Sequence, residues 1–220
     1  MVAERLSVVV PALNEAGGIR AALEALAPLR ARGHEVILVD GGSSDGTVAL
    51  ADGLCDLVLT APRGRAVQMN AGARAASGHM LLFLHTDTRL PPEADVLVLK
   101  AAIWGRFDVQ IEGRHPLLKV VAWAMNLRSR LTGIATGDQA IFVRRAAFPG
   151  FTEIALMEDV AFSALMKRRA RPACLRAKVL TSGRRWESRG VLRTIFLMWR
   201  LRLMYFFGAR PDDLARIYHR

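Results

Sequence analysis

Apolar residues in this chain gather in short runs separated by amphipathic stretches. Leu6–Val10 (LSVVV) is β-branched, closed by Pro11, and reads as a buried strand. Val36–Val39 (VILV), Leu57–Leu59 and Met80–Leu84 read the same way. Helical patterns lie between them. Residues 16–32 carry Ile19, Leu23, Leu26 and Leu29 at helical spacing and end at Gly33; a second segment runs from GGSSDGT to about Gly53; a third is the alanine-rich stretch 65–77. Strands alternating with helices in short units predict an α/β fold with a mostly parallel sheet and helices on both faces.

The second half is less regular. Phe107–Ile111 (FDVQI) alternates like an exposed strand. Residues 117–131 place Leu117, Val120, Val121, Ala124, Leu127 and Leu131 at the period of an amphipathic helix. Gln139–Val143 reads as a strand, 156–169 as a helix and Ala177–Leu180 as a short strand. Residues 191–207 (VLRTIFLMWRLRLMYFF) are strongly apolar but interrupted by Arg193, Arg200 and Arg202. A spanning helix needs about 20 mostly uncharged residues, so this stretch predicts an interfacial or docking helix. It could lie on an anionic bilayer, pack against the rest of the chain, or form a homodimer seam; such a helix is more often covered by protein.

The chain has 220 residues, 52% of them hydrophobic, which suits one compact domain with at most a small appendage. Its first residues, MVAERLSVVVPALNE, have too short an apolar stretch and the wrong flanks for a signal peptide. Cys55 and Cys174 sit in apolar contexts without metal-ligand spacing, which predicts reduced thiols in a cytoplasmic protein, at the inner face of the membrane if the last helix meets a bilayer. A net charge of +11 favours anionic partners: nucleic acid, an acidic membrane surface or phosphorylated substrates. Nucleic acid is the weakest of these. Its binders interleave basic clusters with aromatic platforms, whereas most aromatics here fall in apolar periodic segments.

Ligands of open parallel sheets bind beyond the carboxyl ends of the strands, and the polar residues gather there. The first strand ends in PALNE (Pro11, Ala12, Glu15), the second in DGGSSDGT (Asp40, Asp45), the fourth in HTDT (His85, Asp87). Ser43, Ser44 and Asp45 also suit helix capping, whereas Asp40 and Asp87 stand in line with the site. The loop RGRAVQMNAG opens the third helix with Arg63 and Arg65; arginines and backbone amides at a helix start form an anion site. It is neither GxGxxG nor GxxxxGK[ST], so dinucleotide and P-loop chemistry are unsupported.

Taken in order, PALNE, VDGGSSDGT, NAGARAASG, HTDT, MEDV (Met157–Val160) and GRRW (Gly183–Trp186) resemble the inverting, family-2 glycosyltransferases with a GT-A fold. Within them the chain is similar to a small bacterial branch linked to arsenosugar biosynthesis, whose members also carry H-x-D-T and RRWE. The resemblance implies a catalytic domain over 1–186, with a nucleotide-binding half of about 1–92 and an acceptor half of about 93–186, and a helical extension over 187–220. It implies a hexosyl transfer from a nucleotide-sugar donor, a UDP-sugar, to a small-molecule or lipid-linked acceptor.

The family's strand-end Asp-x-Asp holds a divalent cation, Mn2+ or Mg2+, that bridges the donor diphosphate. Here His85 takes the first position, so Asp87 becomes the principal ligand, with His85 joining directly or through water; an imidazole suits manganese better than magnesium. By the same resemblance Asp40 meets the base, Pro11, Ala12 and Glu15 line its pocket, and Arg63 or Arg65 meets the base or diphosphate. Asp159 becomes the general base and Glu158 its support; two acids opening a helix also simply complement its dipole. Asp138 and Gln139 line the acceptor side, Arg185 clamps the diphosphate and Trp186 walls the acceptor pocket. Ser182 replaces the glutamine of the family's Q-x-x-R-W element, which argues against a processive synthase. A nucleotidyltransferase on a related sheet is the competing expectation, but PALNEAGG lacks the basic residue such chemistry needs.

Overall fold

The computed structural model of the protein describes residues 4–101 and 103–218. Eight strands form one sheet: β1 (Leu6–Ala12), β2 (Glu35–Asp40), β3 (Leu57–Thr60), β4 (Met80–Phe83), β5 (Thr88–Arg89), β6 (Trp104–Glu112), β7 (Phe142–Arg144) and β8 (Ala173–Ser182). Their order is β3-β2-β1-β4-β7-β6-β8-β5, with β1 to β4 mutually parallel and β7 antiparallel to both neighbours. The ten helices of the described residues are α1 (Ile19–Glu24), α2 (Ala27–Ala31), α3 (Thr47–Leu50), α4 (Arg65–Ala75), α5 (Ala94–Leu99), α6 (Leu117–Thr132), α7 (Glu158–Met166), α8 (Arg184–Arg189), α9 (Val191–Phe206) and α10 (Pro211–Tyr218).

Buried aliphatic side chains divide between the two faces of the sheet. Val8, Val10, Leu38 and Leu82 join one core with α1, α2 and α6; Val9, Ile37, Val39 and Leu81 join the other with α4 and α7. Pro11 does not end β1, which runs on to Ala12. The β4 ladder stops at the pair Val9–Phe83, and backbone alternation turns the missing N–H of Pro11 to that vacated side, where no ladder bond is lost.

Three expectations need correction. Residues 16–32 form two helices, because Pro28 lies in the first turn of α2 and starts a new helix after Leu26. FDVQI lies in the interior strand β6 and is not exposed: Arg106 and Asp108 are buried, and α6 closes over them with Ser129, Asn126 and Arg130. The apolar stripe expected to bury α6 mostly faces outward. Val120, Ala124, Leu127 and Leu131 are exposed, while Leu118, Val121, Ala122 and Ser129 face inward. A third, small cluster joins Met157 to Leu201 of α9 and Leu214 of α10. Cys55 and Cys174 are free thiols.

Candidate active site

The carboxyl ends of β2, β1 and β4 are adjacent. The loops leaving β1 and β2 are stitched together there. Asn14, in the left-handed region at φ 54°, accepts from the Ser44 N–H through its side chain and donates its own N–H to Ser43 Oγ. The Glu15 N–H donates to Thr47 Oγ1 at 2.8 Å. Asp45 accepts from the Ala16 N–H and from Thr47, whose hydroxyl, more than any other contact, holds its carboxyl below the usual range. Asp45 thus ties the loop after β1 to the start of α3, where Gly46 holds the N-cap position without a side-chain cap. Asp40 is buried, and its carboxylate accepts from the N–H groups of Gly42 and Ser43 and from Ser43 Oγ.

Gln68 of α4 escaped the sequence reading although it fixes this region. Its buried amide donates to the carbonyls of Ala12 and Val39, at 2.7 and 2.8 Å, joining α4 to both strand ends. Of the two loop arginines, Arg63 is exposed beside the loop, whereas Arg65 reaches Glu158 Oε1 at 3.2 Å.

β4 ends at Phe83, and the turn after it carries His85 and Asp87 before β5 pairs with β8. Through that pairing the Ser182 N–H donates to the Asp87 carbonyl, and Thr88 and Thr181 hydroxyls bond at 3.1 Å. The turn is thereby held against the segment that opens α8 with Arg184, Arg185 and Trp186. The His85 ring lies against Gly137, where an added Cβ would stand 2.5 Å from it. His85 Nδ1 is 3.4 Å from Asp138 Oδ1. Asp87 is exposed, and its carboxylate accepts from the Thr88 hydroxyl.

Residues Gly137–Gln139 form a 3-10 turn closed by a capping box between Thr136 and Gln139. Gln139 is wholly buried, bonding Thr136 and Asn126. Its side chain shapes the turn from within and holds Asp138 at the surface of it. Trp186 is half-buried and leans on the core with α6.

Glu158 and Asp159 follow Met157, whose φ of 72° is costly for a non-glycine residue. Met157 is buried against Leu201 and Leu214, which hold the strained turn in place. Asp159 accepts from the Gly137 N–H at 2.9 Å and the Val160 N–H at 2.7 Å. Burial first, and the neighbouring Glu158 second, push its carboxyl up to about 6 against the pull of Arg65. Arg65 behaves oppositely: burial opposes its charge, but Glu158, Asp159 and Asp138 outweigh that and hold it charged. Burial likewise opposes the Asp138 carboxylate, and His85, Arg65 and Arg185 overcome it. Arg65 and Asp138 keep side chains 42% and 45% accessible although protein surrounds them, as on the floor of an open cleft, where solvent enters and neighbouring charges still act strongly.

Arg128 of α6, also missed, faces the same floor. Its Nε and Nη2 are buried without a hydrogen-bond partner. Burial lowers its pKa, while Asp159 and Asp138 attract its charge. The only signal in the sequence was its place between Leu127 and Ser129: at 100° per residue it lies between Leu117 and Val121, at the edge of the apolar stripe. A separate hollow of about 630 Å³ between the β6–α6 turn and α9 is lined by Arg114, His115 and Glu187 and by none of these cleft groups.

Among the described residues no three His, Cys, Asp or Glu converge to hold a metal ion. What fits is a site completed by substrate: Asp87, beside His85, with phosphate oxygens supplying the remaining ligands, as magnesium-type sites commonly do.

Comparison with known proteins bears on the family and the fold. The family described as Glycosyl transferase family 2 matches residues 7–117, half of the chain. A PGL/p-HBAD biosynthesis glycosyltransferase of Mycobacterium bovis is 35% identical over 115 residues, 49% of this chain and 44% of that protein. The chain thus spans less than half the length of this curated relative. The crystal structure of S. aureus TarS 1-349 in complex with UDP superposes with a TM-score of 0.64 at 20% identity, covering 81% of this chain and 60% of that one. Glucosyl-3-phosphoglycerate synthase from Mycobacterium tuberculosis, in complex with Mn2+, UDP and glucosyl-3-phosphoglycerate, superposes at 0.57 with 17% identity, covering 80% and 71%. At such identities the two structures establish a shared fold, the GT-A fold.

Proposed function

The chain belongs to glycosyl transferase family 2, and from that premise we propose that it transfers a hexosyl group from a nucleotide-diphosphate donor, a UDP-sugar, to an acceptor hydroxyl with inversion. Asp159 carries this reading. It is a carboxylate on a cleft floor, fixed by two backbone N–H groups, and its proton affinity is raised to about 6, near the working range of a general base. The acceptor oxygen bonds to the anomeric carbon as the bond to the diphosphate oxygen breaks. The hydroxyl proton passes to Asp159, and the nucleoside diphosphate departs with the electron pair. A single displacement of this kind inverts the centre.

Glu158 tunes the base by its charge and positions Arg65. Arg65 and Arg185 meet the diphosphate, and Asp138 orients the acceptor beside Asp159. Pro11, Ala12 and Glu15 line the base pocket. The loop takes three of the roughly four acceptor positions of the Asp40 carboxylate, leaving one for the uracil imide. A divalent ion, Mn2+ or Mg2+, would supply neutralisation of the leaving diphosphate, held by Asp87 with His85 alongside. The UDP and Mn2+ of the structural neighbours support the donor and the ion.

A thermal-shift screen with UDP, GDP, CDP and dTDP, each with Mn2+, Mg2+ or EDTA, tests the reading. The expected result is a metal-dependent shift with UDP, lost in Asp87→Ala and retained in Asp159→Asn. No shift with any nucleotide would refute it.

A further inference from the structure

Two helices that pack together each leave an apolar face uncovered. In α9, Leu192, Phe196, Trp199, Leu203 and Phe206 are 59–82% exposed, and their spacing of three or four residues puts them on one stripe. The opposite side, with Val191, Thr194 and Leu201, is buried. At 100° per residue, Arg193 and Arg200 lie along one edge of the stripe and Arg202 along the other. α6, which packs against α9, adds Val120, Trp123 and Leu131, 56–77% exposed.

The charges identify what covers this face. Neither α6 nor α9 contains an aspartate or glutamate, so a second copy docked on the stripe would bring arginine to arginine with no acid between. An anionic lipid surface is complementary: aromatic and aliphatic side chains enter the headgroup boundary while flanking arginines reach the phosphates. The net charge of +11 adds long-range attraction. No helix among the described residues is long and apolar enough to cross a membrane, which leaves α9 lying in the interface plane.

We propose that the exposed faces of α9 and α6 seat the protein on an anionic bilayer. The protein-facing side of α9 then links the bilayer to the cleft. Leu201 packs on Met157, one residue before Glu158, and the Tyr205 hydroxyl is close enough to Asp159 that burial and then this carboxylate raise its pKa. One helix width, about 10 Å, separates the lipid surface from the base, so the acceptor is a lipid-borne hydroxyl. That last clause alone rests on the transfer reading.

Flotation of the full chain with vesicles of phosphatidylcholine, and of phosphatidylcholine mixed equally with phosphatidylglycerol, tests the seat. The wild type floats with the mixed vesicles. Phe196→Ser/Trp199→Ser/Phe206→Ser abolishes flotation, and Arg193→Gln/Arg200→Gln/Arg202→Gln weakens it on the order of 100-fold, at about five-fold per arginine. Both variants keep their melting temperature and their UDP shift, since the side chains lie outside core and cleft. Absence of flotation, or flotation undiminished by the serine substitutions, overturns the proposal. So does light scattering that finds a dimer which those substitutions dissolve. A wild type that floats but ignores UDP would sink the transfer reading and leave the bilayer seat standing.

Discussion

The Gly137 N–H donates to Asp159 Oδ2 at 2.9 Å, so the turn that carries Asp138 and the start of α7 move as one unit. Gly137 also supports the His85 ring, where a Cβ would intrude at 2.5 Å. Base, neighbouring carboxylate and strand-end histidine are therefore positioned through one backbone group.

Transfer activity should depend on a single deprotonation. With the Asp159 carboxyl pushed up to about 6, kcat/KM rises about tenfold per pH unit below that value and levels above it. Glu158→Gln removes the negative neighbour that raises this carboxyl, so the acidic limb moves to lower pH. A limb that stays in place in Glu158→Gln would mean that another group titrates.

Stability and activity should part company at Asp159. Above about 6 both folded and unfolded states have lost the proton; between there and the ordinary 3.8 only the folded state holds it. Stability therefore falls as pH rises through this window. Asp159→Asn abolishes transfer yet stabilises the protein by about 1–2 kcal/mol near pH 8, less than the full shift because one N–H loses its acceptor. The melting temperature should rise by roughly 2–6 °C there and not at all near pH 4. A fall near pH 8 would contradict the strained carboxylate.

The interior of β6 offers a test of packing alone. Arg106 is fully buried between Asp108, Ser129 Oγ and the Asn126 carbonyl. Asp108→Ala leaves that guanidinium without its anion and should cost about 3–5 kcal/mol in urea unfolding. Replacing Arg106 and Asp108 together by Met and Leu should recover most of it. A loss in the double variant equal to the sum of the two single-variant losses would show that the pair is not coupled.

What the sequence made legible was local. The apolar runs of β1, β2 and β4 each bury themselves whatever their neighbours are, and polar turns follow them directly, so the floor of the crevice could be read from spacing. What stayed hidden depends on distant pairing. β5 is two residues long and exists because Thr88 meets Thr181. β6 looked exposed because its charges find partners on α6. On α6, periodicity marks an apolar stripe but not which side of it meets the core, and Arg128, at the stripe's half-buried edge, was hidden by that.

Arg128 should be a functional group held at the expense of stability. Its Nε and Nη2 are buried without partners, and burial opposes its charge more than Asp159 and Asp138 favour it. A cation kept unpaired beside two cleft carboxylates is suited to receive an anionic group of donor or acceptor. Arg128→Met keeps the length of the side chain and removes the unpaired charge, so the melting temperature should hold or rise. Turnover should nevertheless fall roughly 10–100-fold, with Arg128→Lys recovering part of it through charge alone. A Met variant that melts several degrees lower while turning over normally would make Arg128 a packing residue and nothing more.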